Sequence, residues 1–192
     1  MRDFSDSTFV ARFQSGDARA IEEVVDAFLP HILNAARAVG LDEAKAQDVV
    51  QNTFTTLIEK APDFEGRSHI RTWLFGIFYR KVSEARRGLD RDRRFDDIDE
   101  VVRGRFAPDG SWRHPPQPMA VYGAELNRFL EECLEEVSLN QRMAFVLREV
   151  EGLTSEQICK ILEVSRTNLG VLLFRARNQL RECLEGKGVE RT

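Results

Sequence analysis

The sequence predicts an all-α protein: two small helical domains joined by a flexible linker, the second domain carrying a helix-turn-helix. Three observations predict this. Apolar residues recur at helical spacing on both sides of a central break, as in Leu29, Ile32, Leu33 and Ala36, and again in Leu126, Phe129, Leu130, Cys133, Leu134 and Val137. No run of alternating β-branched residues competes with that period. Between the two periodic regions the pattern vanishes into charge and proline, ending in His114-Pro115-Pro116-Gln117-Pro118. Such a segment cannot bury enough apolar surface to offset its ordering entropy and tends to stay extended. The expected domains are residues 1–89 and 124–192, with 90–123 as the linker.

The first domain reads as helix after helix, with breaks at Gly16-Asp17, at Gly40-Leu41-Asp42, and at residues 61–68, where Pro62 and Gly66 interrupt the period. Asp42 is the expected N-cap of a helix running to about Lys60, whose apolar face holds Val49, Val50, Phe54, Leu57 and Ile58. Residues 70–87 form the next helix. Its spacing turns Trp73, Leu74, Ile77 and Phe78 inward and leaves Phe75, Tyr79, Arg80, Ser83, Arg86 and Arg87 largely on the other face. Nine Lys or Arg between Arg67 and Arg94 face only Glu84, Asp90 and Asp92. Exposed aromatics among cations suit single-stranded or melted nucleic acid, where stacking contributes ~1–3 kcal/mol per base. The competing reading makes Phe75 and Tyr79 core residues.

The second domain opens with the helix at Leu126 and continues through Met143, Phe145, Val146, Leu147 and Val150. Thr154 followed by Gln157 fits a capping box, and Ile158, Ile161 and Leu162 supply an inward face. A short turn at Glu163-Val164 leads to Ser165, a good N-cap for a helix reaching about Leu184. Two helices so joined form a helix-turn-helix, whose second helix enters a major groove with its N-terminal residues toward the bases. That helix begins Arg166-Thr167-Asn168, continues with Arg175, Arg177 and Arg181, and holds no acidic residue between Arg166 and Arg181. Arg reads guanine and Asn reads adenine, while later arginines meet phosphates. The competing reading is a helical hairpin with a solvated arginine face.

The sum of charges is 28 − 32 = −4, and a pI near 5.5 argues, taken as a total, against phosphate binding. No apolar run approaches the roughly 18 residues of a membrane span. The start MRDFSDS is acidic where a signal peptide would be basic, so a cytoplasmic protein without membrane insertion is expected. Cys133, Cys159 and Cys183 lie far apart and on apolar spacing. Buried thiols are expected rather than a disulfide framework, with a thiol or metal sensor as the alternative. His31, His69 and His114 are scattered, with no metal-ligand spacing. No Gly-rich phosphate loop, nucleophile elbow or paired catalytic carboxylate motif appears, so no enzymatic activity, catalytic residue, metal or cofactor is expected.

Three motifs carry a resemblance. The run Asp63-Phe64-Glu65-Gly66-Arg67-Ser68-His69-Ile70-Arg71-Thr72-Trp73-Leu74-Phe75-Gly76-Ile77 resembles region 2 of bacterial extracytoplasmic function (ECF) sigma factors, the small members of the sigma-70 family. Ala46-Gln47-Asp48-Val49-Val50-Gln51-Asn52-Thr53-Phe54 resembles the helix by which that family grips the clamp helices of the RNA polymerase β′ subunit. The helix-turn-helix with Arg175-Ala176-Arg177-Asn178-Gln179-Leu180-Arg181 resembles region 4. Together the motifs cover nearly everything outside the linker.

The resemblance implies a dissociable specificity subunit of core RNA polymerase, contacting the β′ clamp helices and the β subunit and directing promoter recognition and melting. Asp48, Gln51 and Asn52 would dock on polymerase. Phe64, Ser68, Arg71, Phe75, Tyr79, Arg80, Arg86 and Arg87 would engage the −10 element, with a base flipped toward the loop at residues 64–68. Arg166, Thr167, Asn168, Val171, Arg175 and Arg177 would read the −35 element in duplex form. The linker would thread toward the polymerase active site, and an anti-sigma factor would hold the protein until a signal releases it. The sequence departs from the family pattern at Asn52, where a Glu is usual, and at Arg80, often Asn. It departs again at Gly170 and Leu172, where Lys and Arg are frequent, which shifts readout toward van der Waals contact and DNA shape. Two other classes remain open: a helix-turn-helix regulator acting without polymerase, and a helical adaptor that binds only proteins.

Overall fold

A computed structural model describes residues 4–86 and 124–187 of the chain. The described residues are helical throughout, with no strand, and the chain divides into two compact units. The expected linker, residues 90–123, lies outside the described residues.

The N-terminal unit contains α1 (Ser7–Gln14), α2 (Ala18–Ala38), α3 (Glu43–Glu59), a 3-10 turn at Ala61–Asp63 and α4 (Ile70–Arg86). Its helix starts follow from side-chain caps, which satisfy amides that have no partner within the helix. Asp6 accepts from Thr8 N and Phe9 N at 3.0 Å each. Asp17 accepts from Ala20 N at 2.8 Å and from Arg12 at 2.7 Å. Asp42, as expected, accepts from Lys45 N at 2.9 Å. Gly16 lies at φ +75°, where an L side chain would be strained, so the α1–α2 turn is tight. Helix α2 runs through Pro30. An internal proline costs ~3 kcal/mol, and the buried face of Val24, Phe28, Ile32, Ala35 and Ala36 offsets it.

Helix α3 packs along α4. Its inward face is Ala46, Val49, Val50, Thr53, Phe54 and Leu57, so most of the predicted stripe is interior. Ile58 departs from it: it is 46% exposed, at the outer edge of the helix. Helix α4 buries Ile70, Thr72, Leu74, Phe75, Ile77, Phe78, Val82 and Ser83, residues distributed around much of its circumference. The predicted division into an inward and an outward face therefore fails at Phe75 and Ser83. Phe75 is fully buried, edge-on to Phe78 at 6.2 Å, because α4 is covered on more than one side.

The C-terminal unit contains α5 (Ala124–Glu135), α6 (Leu139–Phe145) continuing into a π-helical turn at Val146–Val150, α7 (Ser155–Leu162) and α8 (Arg166–Gly186). The long α8 is the common partner of α5, α6 and α7. The capping box of α7 forms as expected: Thr154 N donates to Gln157 Oε1 at 2.9 Å, and Gln157 N to Thr154 Oγ1 at 3.3 Å. Glu163 ends α7 in the left-handed conformation at φ 57°, ψ 42°, which turns the chain into α8. Ser165 then caps α8 by accepting from Asn168 N at 3.1 Å.

One expectation is overturned here. Cys133 and Cys183 are joined in a disulfide, Cα to Cα 5.7 Å apart across 50 residues, and Cys159 alone remains free. The cysteines do lie on apolar faces, but α5 and α8 share one core, and there the two faces meet.

Candidate nucleic-acid interface

In the N-terminal unit the sequence-predicted residues fall into two groups. Asp48, Gln51 and Asn52 are all exposed on α3. Their spacing of three and four places them on one face. Ile58, seven residues beyond Gln51, extends that face with exposed apolar surface, although its spacing counts it with the core stripe. The regular seven-residue interval was the signal that could have found it.

The second group surrounds the start of α4. Phe64 is buried, with its ring 5.0 Å from Trp73 and 5.9 Å from Phe13. Gln14 donates to its carbonyl, tying the loop to α1. Gly66, at φ +69°, carries the turn, and an exposed Glu65–Arg67 ion pair sits at its tip. His69 Nδ1 accepts from Arg71 N at 3.0 Å and so caps α4. Ser68 is half-buried. Arg71 is half-buried with its guanidinium 5.8 Å from the Phe75 ring centroid, so the cation lies on an aromatic that the helical spacing alone turns toward DNA. Tyr79 and Arg86 are half-buried and Arg80 is exposed, while Arg87 lies outside the described residues. Gly76 has open space where a Cβ would project, which leaves a gap one turn before Arg80. The accessible set is thus Ser68, Arg71, Tyr79, Arg80 and Arg86; Phe64 and Phe75 face the core.

In the C-terminal unit, Arg166 and Thr167 are exposed and Asn168 is half-buried, on the first turn of a helix whose amide dipoles favour an anion. Val171 is 3% exposed and packs inward, whereas its neighbour Leu172 is half-buried. The expected outward position at Val171 thus falls one residue later, at Leu172. Arg175 and Arg177 are half-buried. Arg177 pairs with Glu149, 28 residues earlier, a partner with no local sequence signal. Arg148 donates to the Leu153 carbonyl at 3.0 Å and to Ser155 Oγ, latching the π turn onto α7. Glu156 pairs with Lys160 at 3.0 Å. Its carboxyl is held below the usual value chiefly by the Lys160 hydrogen bond, with the Lys160 and Arg166 charges adding to it. Among the described residues no group of three His, Cys, Asp or Glu could hold a metal ion, and no helix is long and apolar enough to cross a membrane.

Comparison with known proteins assigns both units. The family model described as Sigma-70 region 2 matches residues 24–92, and that described as Sigma-70, region 4 matches residues 130–180. A probable RNA polymerase sigma factor of Haemophilus influenzae is 31% identical over 74% of this chain and 78% of its own length. The ECF RNA polymerase sigma factor SigD of Mycobacterium tuberculosis is 29% identical over 93% of this chain and 84% of its own. Among solved structures, CnrH in complex with the cytosolic domain of CnrY superposes with a TM-score of 0.68 at 25% identity, covering 95% of this chain and 98% of that one. The sigma factor RpoE in complex with the anti-sigma factor NepR from Bartonella quintana gives 0.65 at 25% identity, over 88% and 98%. With both regions matched in order on a single helical chain, the protein belongs to the sigma-70 family, among the ECF RNA polymerase sigma factors, which are transcription initiation factors and not enzymes.

Proposed function

We propose that this sigma factor docks on core RNA polymerase, through the β′ clamp helices and the β subunit, using the exposed face of α3, where Asp48, Gln51 and Asn52 lie beside the outward Ile58. The −10 element is engaged by Ser68, Arg71, Tyr79, Arg80 and Arg86, with Arg87 beyond the described end of α4. The −35 element is read by Arg166, Thr167 and Asn168, with Arg175 and Arg177 meeting phosphates. Phe64, Phe75 and Val171 leave the contact set because their side chains are spent on the core. An anti-sigma factor restrains the protein, a reading supported by the RpoE neighbour solved with one. Its place of action is the cytoplasm, where core polymerase works.

The observation that carries this reading is the first turn of α8, capped by Ser165, with Arg166 and Thr167 exposed and Asn168 half-buried, on the same chain as the exposed polar face of α3. Neither a lone operator binder nor a protein adaptor requires both. In vitro transcription with purified core polymerase and a genomic promoter library tests it. Asp48→Ala with Gln51→Ala should weaken core binding on the order of tenfold or more, the cost of truncating contacts of about 1 kcal/mol. Failure of the wild-type protein to form a holoenzyme, or to initiate at any promoter, would sink the proposal.

A further inference from the structure

We propose that Cys133 and Cys183 are a reversible thiol–disulfide site, which clasps α5 to the far end of α8 when oxidised and opens when reduced. The site stands independently of the DNA reading. The bond joins residues 50 apart, in a core formed by Leu134, Val137, Ala176, Leu180 and Leu184. The two sulfurs are unequal. Cys133 is fully buried, whereas Cys183 is half-buried and within a turn of the end of α8 at Gly186. Helix ends fray, so Cys183 is the sulfur that a solution thiol reaches.

A second set of contacts holds the same end without a covalent bond. Lys187 donates to Glu132 at 2.7 Å, and its ammonium lies 5.6 Å from the Phe129 ring centroid. With the apolar core, these contacts keep α5 beside α8 after reduction and hold the two thiols within reach for reclosure.

A low-molecular-weight thiolate attacks Cys183 Sγ, forming a mixed disulfide, and the electron pair of the broken bond leaves on Cys133 Sγ, which takes a proton. A second thiolate attacks the mixed disulfide, releases the Cys183 thiolate, which is protonated, and departs as the small-molecule disulfide. In sum, one protein disulfide and two small thiols give two cysteine thiols and one small disulfide; oxidation by that disulfide runs the same steps in reverse. Cys159 on α7 is a poor competitor, because burial pushes its thiol above the usual range against the opposing charges of Arg166 and Arg148.

Opening the bond frees a 50-residue loop in the unfolded chain. Reduction should therefore lower the unfolding midpoint of the C-terminal unit by more than about 10 °C. Because α8 also carries Arg166 through Arg177, redox poise then sets how firmly that helix is anchored.

The test equilibrates the full-length chain in glutathione buffers of graded oxidised-to-reduced ratio, traps thiols by alkylation and maps the peptides. Thermal unfolding is followed in parallel for wild type, Cys133→Ala, Cys183→Ala and Cys159→Ser, with and without reductant. Cys133 and Cys183 should become protected together in one two-electron transition while Cys159 is alkylated at every ratio. Wild type and Cys159→Ser should lose the midpoint shift on reduction and regain it on reoxidation, and the two alanine variants should ignore reductant. Alkylation of Cys133 at every ratio, pairing of Cys159 on reoxidation, or a wild-type midpoint insensitive to reductant would overturn the proposal.

Discussion

Phe75 shows how much a single side chain decides. Its ring is fully buried against Phe78 and covered by the Arg71 guanidinium, so it supports the surface that Tyr79 and Arg80 present without being part of it. Phe75→Ala should therefore destabilise the N-terminal unit by about 3–5 kcal/mol, from lost apolar transfer and the cavity left behind. Denaturant unfolding checks this; a variant that keeps its stability and loses only promoter melting would return Phe75 to the DNA surface. Arg177 carries the same lesson with the opposite sign. Its residue type marked it as a phosphate contact, yet Glu149 already pairs with it, so any phosphate must displace a carboxylate. Residue type was legible in the sequence at both positions. The partner was not, because Glu149 is 28 residues from Arg177, and the helical spacing that puts Phe75 and Tyr79 on one face says nothing of what covers Phe75.

The helices themselves follow from local chemistry, and two tests belong at this scale. Gly76 sits inside α4 with nothing within 4 Å of where a Cβ would project. Gly76→Ala should raise stability by roughly 0.5–1 kcal/mol through lower unfolded-chain entropy. A loss of stability in chemical denaturation would mean that the gap is filled in solution. The caps of α2 and α3 set an acid limit. Asp17 is held below the ordinary 3.8 by the Ala20 amide and then by Arg12. Asp42 is held below 3.8 by the Lys45 ammonium and then by the Lys45 amide. A carboxyl with a folded-state value below its unfolded one contributes fully above the unfolded value and loses that contribution as pH falls through the folded one. Amide exchange at Ala20 and Lys45 should thus be unaffected by these groups at neutral pH and rise only below 3.8, and Asp17→Asn and Asp42→Asn should abolish that acid dependence. A rise centred well above 3.8 would contradict the assigned caps.

At the scale of the whole molecule, the net charge of −4 is a sum of opposites. Basic stretches at residues 67–94 and 166–181 are offset by the acidic run at 96–100 and by the glutamates of α5. The structure adds local counter-charges, Glu149 on Arg177 and Glu156 beside Arg166. The free protein should accordingly bind promoter duplex weakly, and adding core polymerase should tighten binding by an order of magnitude or more at fixed salt, since docking replaces an entropic cost otherwise borne by the DNA contacts alone. Equal affinity with and without core would indicate a stand-alone regulator. The helical succession, the caps at Asp42, Thr154 and Ser165, the helix-turn-helix and the family motifs were all determined by the sequence, because each depends on residues within a few turns of one another. Only the tertiary structure decided that Phe64, Phe75 and Val171 turn inward, that Ile58 turns outward, and that Cys133 meets Cys183. Those outcomes depend on which helix faces which, and periodicity along one helix carries no record of what packs against it.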